Sequence, residues 1–147
     1  MPSEFAEMGV RFEYPENWTV SKETGRSDCR SVTVTSPQGA FWTLSIHSRT
    51  TDPSRLLKVA VQAMREEYKD LEISEFQEEV HGHQLAGREL NFFYLDLTNT
   101  ACIRAVRTDL ATYTVFCQAE DREFERIQEV FRAMTDSFLA NAVVRSP

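Results

Sequence analysis

Apolar and polar residues alternate along much of the chain, with the period of two that is typical of β-strands covered on one face. Near the N-terminus this alternation predicts a strand at Val10–Tyr14, a break at Pro15–Asn17 and a further strand beginning at Trp18–Val20. The polar stretch Ser21–Arg30 predicts a loop.

A hairpin is predicted where Ser31–Ser36 and Ala40–His47 alternate on either side of Pro37–Gly39. A three-residue turn closed by glycine fits this spacing, and it places Val34 opposite Trp42. One face of the hairpin is then apolar and consists of Val32, Val34, Trp42, Leu44 and Ile46. The other face carries Thr33, Thr35, Thr43, Ser45 and His47, so we expect an antiparallel pair covered on one side only.

Two segments have helical periodicity instead. The first is preceded by Asp52 as the predicted N-cap and by Pro53, which suits a first helical turn. Its apolar positions are Leu57, Ala60, Val61, Met64 and Tyr68. The second segment, Asp121–Leu139, has acids in its first turn, where the helix dipole favours them. Its apolar stripe consists of Phe124, Ile127, Phe131, Met134 and Phe138.

Strand alternation also covers the region between the two predicted helices. Leu71–Val80 predicts a strand, and the residues around His81-Gly82-His83 predict a loop. Leu90–Leu97 is apolar on both faces, which favours a central strand, and Thr98-Asn99-Thr100 is predicted to turn the chain.

The last two predicted strands place two cysteines opposite each other. A hairpin of Ala101–Arg107 and Thr112–Ala119 pairs Cys102 with Cys117, at a separation near disulfide reach. Two interpretations stay open: two small buried thiols, or a redox-sensitive cross-strand pair.

The order of these elements predicts an α+β fold, with an antiparallel β-sheet flanked by helices in an α/β/α sandwich. A length of 147 residues favours one domain, which we place at residues 1–140 with a C-terminal tail at 141–147.

Charge narrows the possible partners. The net charge is −7, which argues against nucleic-acid binding because that function needs lysine and arginine to neutralise phosphates. Seven acids and one base lie between Glu66 and Val80. Within them Glu72, Glu75, Glu78 and Glu79 form a candidate interaction patch for a basic partner. A solvated face, or an edge strand protected from pairing, is the alternative interpretation.

The sequence predicts a cytoplasmic protein without membrane association. It contains no apolar stretch of the length of a membrane helix, and its first ten residues lack the apolar centre of a secretory signal. Cys29, Cys102 and Cys117 are an odd number of cysteines, which favours a reducing compartment.

Candidate chemistry is sparse. His81 and His83 flank a glycine and follow Glu78 and Glu79, so a metal site is one interpretation of this segment and a solvated loop is the other. Gly82 and Gly87 have phosphate-loop spacing, but the Lys-Ser or Lys-Thr that should follow is absent. We therefore predict no catalytic residues, no metal and no cofactor.

Two motifs resemble a known family. The run Gly9-Val10-Arg11-Phe12-Glu13-Tyr14-Pro15-Glu16-Asn17-Trp18 is similar to the opening of PsbP-like proteins. The run Phe131-Arg132-Ala133-Met134-Thr135-Asp136-Ser137-Phe138 is similar to the final helix of the superfamily that they form with Mog, a Ran-binding protein. The resemblance implies an α/β/α sandwich with Tyr14 and Trp18 as core anchors. It also implies a role in binding proteins, and it transfers no functional residue set.

Together these observations predict a non-enzymatic protein-interaction or accessory module, either monomeric or a weak dimer through the hydroxyl-rich face of the first hairpin. The alternative is a small-molecule-binding or enzymatic protein with a pocket between sheet and helix.

Overall fold

The computed structural model describes residues 1–24 and 30–142, which contain nine strands and two helices. The strands are β1 (Ser3–Glu7), β2 (Val10–Tyr14), β3 (Thr19–Thr24), β4 (Arg30–Thr35), β5 (Phe41–His47), β6 (Glu72–Val80), β7 (His83–Tyr94), β8 (Leu97–Arg107) and β9 (Thr112–Glu120). Helix α1 (Pro53–Glu67) lies between β5 and β6, and helix α2 (Asp121–Asn141) follows β9.

Seven of the strands form one antiparallel sheet in the order β3-β4-β5-β9-β8-β7-β6, and β1 pairs with β2 in a separate hairpin. The two helices lie on opposite faces of the large sheet. Leu57 of α1 packs on Ala101 and Ile103 of β8, whereas α2 shares its core with Cys102, the residue between them. The predicted α+β class with helices flanking an antiparallel sheet is thus confirmed.

The face under α2 holds the larger core. Phe12 of β2 is fully buried against Trp42 of β5, with ring centroids 4.7 Å apart. Trp18 meets Phe131 of α2 edge to face at 6.0 Å. The β1–β2 hairpin and α2 therefore cover this face side by side.

The first predicted hairpin is confirmed in register and turn. Val34 pairs with Trp42, and Val32 pairs with Leu44. Gly39 has a φ of 95°, the left-handed conformation that closes such a turn without a side-chain clash. The predicted N-cap of α1 is also confirmed: the Asp52 carboxylate accepts a hydrogen bond from the backbone N–H of Ser54 at 3.0 Å.

The predicted central strand is wrong in its bounds and its place. The strand that contains Leu90 begins at His83, ends at Tyr94 and lies next to the edge strand β6, whereas β9 occupies the middle of the sheet. The chain turns at Leu95-Asp96, and the predicted turn Thr98–Thr100 lies inside β8. The apolar run was misleading because its last residues are exposed rather than buried on both sides.

The predicted polar loop is also partly wrong. Residues Ser21–Thr24 belong to β3 and Arg30 begins β4, while positions 25–29 lie outside the described residues. Edge strand β3 is exposed on nearly every residue, so it lacks the alternation that reveals a strand. At the C-terminus Asn141 belongs to α2, and positions 143–147 of the predicted tail lie outside the described residues.

A buried hydrogen bond ties α2 to the sheet and allows a test of this core. The Trp42 indole N–H donates to Thr135 Oγ1 at 3.0 Å. We expect Thr135→Val to lower the free energy of unfolding by about 1–3 kcal/mol, because it leaves the indole N–H buried without an acceptor. Urea denaturation followed by tryptophan fluorescence measures this change.

The matched control is Thr135→Ser, which keeps the hydroxyl and loses one methyl group, for an expected cost of about 1 kcal/mol or less. Equal stability of the valine variant and the wild type would contradict a structural role for this hydrogen bond.

A candidate docking surface at one end of the sheet

The four glutamates of the predicted patch lie along the edge strand β6, but on both faces of the sheet. Glu78 faces the α2 side, where it pairs with Arg104 at 2.5 Å. Glu75 faces the other side, 3.9 Å from Arg88. Glu72 shares the face of Glu78, and Glu79 shares that of Glu75. The structure thus does not bring the four carboxylates onto one surface, and their position on an edge strand suits protection against pairing.

The two histidines point to different partners. His81 lies in the tight turn between β6 and β7, and its Nε2 is 3.0 Å from Oδ1 of Asp136 on α2. His83 is buried, and its Nε2 lies 3.3 Å from the backbone oxygen of Ala142. Within the described residues, no group of three or more His, Cys, Asp or Glu side chains is arranged to hold a metal ion. The prediction of a solvated loop is wrong for His83, which docks the end of α2.

Gly87 has a packing role instead of a phosphate-loop role. It lies within β7 directly opposite Phe76, and a Cβ at this position would be 2.2 Å from the Phe76 ring. The ring also lies 5.0 Å from the Arg104 guanidinium carbon, at cation–π distance. The glycine therefore makes room for an aromatic side chain across the strand pair.

Cys102 and Cys117 lie opposite each other on β8 and β9, as predicted, and both are buried free thiols. The hydrogen bond between the two thiols lowers the pKa of Cys102, and the charge of Arg104 acts in the same direction against the effect of burial. The same hydrogen bond and burial raise the pKa of Cys117 well above its usual value. The pair thus resembles two packed thiols more than an exposed redox centre.

The most exposed apolar residues of the described chain gather at the end of the β7–β8 hairpin. Four of the seven exposed large hydrophobic residues lie among the five residues that form its turn. Their exposed fractions are 65% for Phe93, 50% for Tyr94, 77% for Leu95 and 42% for Leu97. We call Phe93–Leu97 the apolar tip. Exposed apolar residues that cluster in this way mark interaction sites, whereas scattered single residues do not.

The backbone of the apolar tip is unfavourable for its sequence. Leu95 has a φ of 52° and Asp96 a φ of 63°, so the two residues form a type I′ turn. This turn strongly prefers asparagine, aspartate or glycine, and the left-handed conformation is costly for a residue such as leucine. Leu95 therefore combines backbone strain with solvent exposure, and the fold gains nothing evident from it.

A groove of about 560 Å³ lies beside the apolar tip. One wall is formed by Tyr94, Leu95 and Leu97, and the end of α1 contributes Glu67 and Tyr68. Phe41 and Gln118, which pair across β5 and β9, also line it, together with the β4–β5 turn and the first turn of α2. The groove thus forms where two hairpin turns and two helix ends meet.

Hydrogen bonds fix the far wall of the groove. Ser36 Oγ donates to the Glu123 carboxylate at 2.9 Å and accepts from the backbone N–H of Ala40 at 3.0 Å. Glu123 is buried, and its backbone N–H donates a hydrogen bond to the Glu120 carboxylate, which caps the N-terminus of α2. The β4–β5 turn and the start of α2 are therefore held together as one surface.

The pKa of Tyr68 reflects the burial and the negative charge at the groove. Burial raises the pKa of its hydroxyl, the neighbouring Glu67 carboxylate and the Tyr94 hydroxyl raise it further, and a hydrogen bond with Gln118 opposes them. The Tyr68 ring packs on Phe92 at 4.2 Å, with the ring planes tilted by 33°, and meets Tyr94 edge to face at 6.1 Å. The lining thus combines aromatic rings with negative charge.

Sequence reasoning missed both the apolar tip and the groove. The apolar run Leu90–Leu97 predicts a buried strand, and Leu95-Asp96 lacks the asparagine-glycine pattern of a two-residue turn. The pattern from Phe93 to Leu97 is therefore the same as that of continuous core. The groove unites residues from four separate segments, which no local pattern brings together.

Two other surfaces that the sequence predicts are found in the structure. A groove of about 740 Å³ lies between α1 and the β6–β7 pair, where the alternative of a pocket between sheet and helix would apply. The hydroxyl-rich face of β4 and β5 is half-buried, with a Thr33–Thr43 hydrogen bond at 2.9 Å. Ligand binding at the first surface and dimerisation at the second stay predictions.

Comparison with known proteins yields structural likeness only. No family model and no curated protein match the chain. The solved structure of PsbP from the cyanobacterium Synechocystis matches with a TM-score of 0.59 and 14% identity, over 92% of this chain and 90% of that one. LpqN from Mycobacterium tuberculosis, which is involved in cell envelope biogenesis, matches with a TM-score of 0.53 and 12% identity, over 91% and 87%.

A protein of unknown function from Pseudomonas aeruginosa matches with a TM-score of 0.53 and 11% identity, over 99% of each chain. At these identities the likeness shows the fold alone, and it confirms the resemblance to PsbP-like proteins at that level. Within residues 1–24 and 30–142, neither helix is long and apolar enough to cross a membrane.

The burial of the cysteine pair predicts its reactivity. In a Cys29→Ser variant, we expect both remaining thiols to react slowly with a thiol reagent in the native protein and rapidly in denaturant, because folding shields them. Absorbance after addition of dithionitrobenzoate measures the reaction. Two thiols should appear in denaturant with or without reductant, and the loss of both without reductant would establish a disulfide instead.

The strained turn predicts a stabilising substitution. We expect Leu95→Asn to raise the free energy of unfolding by roughly 1 kcal/mol, because asparagine tolerates the left-handed conformation. Urea denaturation measures it. Leu110→Asn is the matched control, since Leu110 is also exposed in the β8–β9 turn, at 62% against 77% for Leu95, and has no positive φ. Destabilisation of the Leu95 variant by a similar amount would mean that this side chain packs within the fold.

Proposed function

We propose that this protein is a non-enzymatic accessory module that binds another protein through the apolar tip. The observation that carries the proposal is Leu95, a largely exposed leucine held in a left-handed turn conformation. Such a residue costs stability in the folded monomer, and burial against a partner would recover the exposed apolar area.

The surroundings of the tip favour a protein over a lipid surface. Asp96 lies within the turn itself, and the adjoining groove is lined by Glu67, Glu120 and Glu123. Anionic membranes attract basic segments, so these carboxylates oppose their approach. An apolar centre with a charged rim is instead the usual anatomy of a protein interface.

Capture from a lysate of the source organism tests the proposal with three baits: the wild type, Leu95→Asn and Leu110→Asn. We expect one or more proteins to bind stoichiometrically to the wild type and to the Leu110 variant, and to be lost with the Leu95 variant. Because the Leu95 substitution should not weaken the fold, this loss would report contact and not unfolding.

Three results would contradict the proposal. The first is equal capture by all three baits. The second is co-sedimentation with phosphatidylcholine–phosphatidylglycerol vesicles that depends on Leu95, which would make the tip a membrane anchor. The third is gel filtration in which only the Leu95 variant changes from dimer to monomer, which would make the occupant a second copy of this chain.

We also propose that the module works in the cytoplasm. Support comes from the odd number of cysteines, which favours a reducing compartment. Fractionation of the source organism followed by immunodetection tests this location.

A further inference from the structure

The charged residues that line the groove beside the apolar tip are all acidic. Its charged lining residues are Glu67, Glu120 and Glu123, and within the described part of the chain no lysine, arginine or histidine lines it. Carboxylates collected in a concave site raise the local concentration of cations. A partner that covers the apolar tip would therefore meet negative charge directly beside it.

The three carboxylates differ in the ion pairs and hydrogen bonds that they already make. Glu120 pairs with the Arg122 guanidinium at 3.2 Å and caps α2, and Glu123 accepts the hydrogen bond from Ser36. Glu67 makes no ion pair with any residue in the described ranges 1–24 and 30–142. It is also the last residue of α1, where the negative end of the helix dipole adds to its own charge.

Aromatic rings line the same groove as this carboxylate. Tyr68 and Tyr94 meet edge to face at 6.1 Å, and both line the groove together with Phe41. The negative face of an aromatic ring attracts a lysine or arginine head group. The aliphatic stem of the same side chain would pack on the apolar wall formed by Leu95 and Leu97.

We propose that the groove receives a lysine or arginine side chain of the partner, held by Glu67 and the rings of Tyr68 and Tyr94. This inference rests on the proposed function and adds the chemistry of the partner: a segment that alternates basic and apolar residues. Its basic side chain enters the groove while its apolar neighbours cover the tip. Charge complementarity thus selects the partner, and the apolar contact contributes most of the buried area.

Synthetic peptides test this chemistry without the natural partner. The probes are a capped heptapeptide of alternating lysine and leucine, and the same peptide with glutamine in place of lysine. We expect calorimetric titration to detect saturable binding of the lysine peptide and much weaker binding of the glutamine peptide. The affinity for the lysine peptide should fall as salt is added, because the ion pair is partly exposed.

Two protein variants localise the binding. Glu67→Gln should weaken binding of the lysine peptide about fivefold, the scale of one partly exposed ion pair. Glu66→Gln is the matched control, because it removes the same charge from the neighbouring helical residue, which does not line this groove. Tyr94→Leu keeps an apolar side chain and removes the ring, and it should weaken binding roughly threefold.

Equal effects of the Glu66 and Glu67 substitutions would overturn the proposal, since they would show only long-range attraction. Equal affinity for the two peptides, or no binding of the lysine peptide at millimolar concentration, would overturn it as well. The protein-binding function would survive these results if Leu95→Asn still abolished capture of a partner. Conversely, specific peptide binding with no Leu95-dependent partner would retain the groove and remove the role of the tip.

Discussion

Both faces of the seven-stranded sheet need apolar cover, and this requirement governs the rest of the structure. With strands about 4.8 Å apart the sheet is roughly 29 Å wide, whereas one helix is about 10 Å across. On one face α2 and the β1–β2 hairpin share the task, so Trp42 and its neighbours are fully buried. On the other face α1 lies over β7, β8 and β9, and the β4–β5 half carries threonine and serine instead.

The length of α1 also limits how far this helix covers the strands beneath it. Helix α1 has 15 residues and spans about 22 Å, while the 12 residues of β7 extend about 40 Å. The β7–β8 hairpin therefore runs past the end of α1, and Tyr68 packs against Phe92 close to where cover ends. Beyond that point Tyr94 keeps one edge-to-face contact with Tyr68, and Phe93, Leu95 and Leu97 are exposed. On the face of α1, the groove beside the apolar tip lies where the helix ends.

Charge is distributed to match these exposed elements. Along β6 the glutamates alternate between the two faces, where Glu75 pairs with Arg88 of β7 and Glu78 with Arg104 of β8, so their charge lies along the edge of the sheet. At the groove, Glu67 has no such pair among the described residues and lies beside aromatic rings. The acidity read from the sequence is thus divided between protection of an edge and a surface suited to a cationic side chain.

Local spacing is enough to predict the elements that obey a simple period or a known turn chemistry. The β4–β5 register, the cap at Asp52, the α2 stripe and the opposition of Cys102 and Cys117 all follow from it. The limit of apolar cover depends on tertiary packing, because an apolar run has the same pattern whether or not a helix lies over it. The left-handed turn at Leu95 and the meeting of Glu67, Tyr68 and Tyr94 depend on contacts between distant segments, so no local pattern contains them.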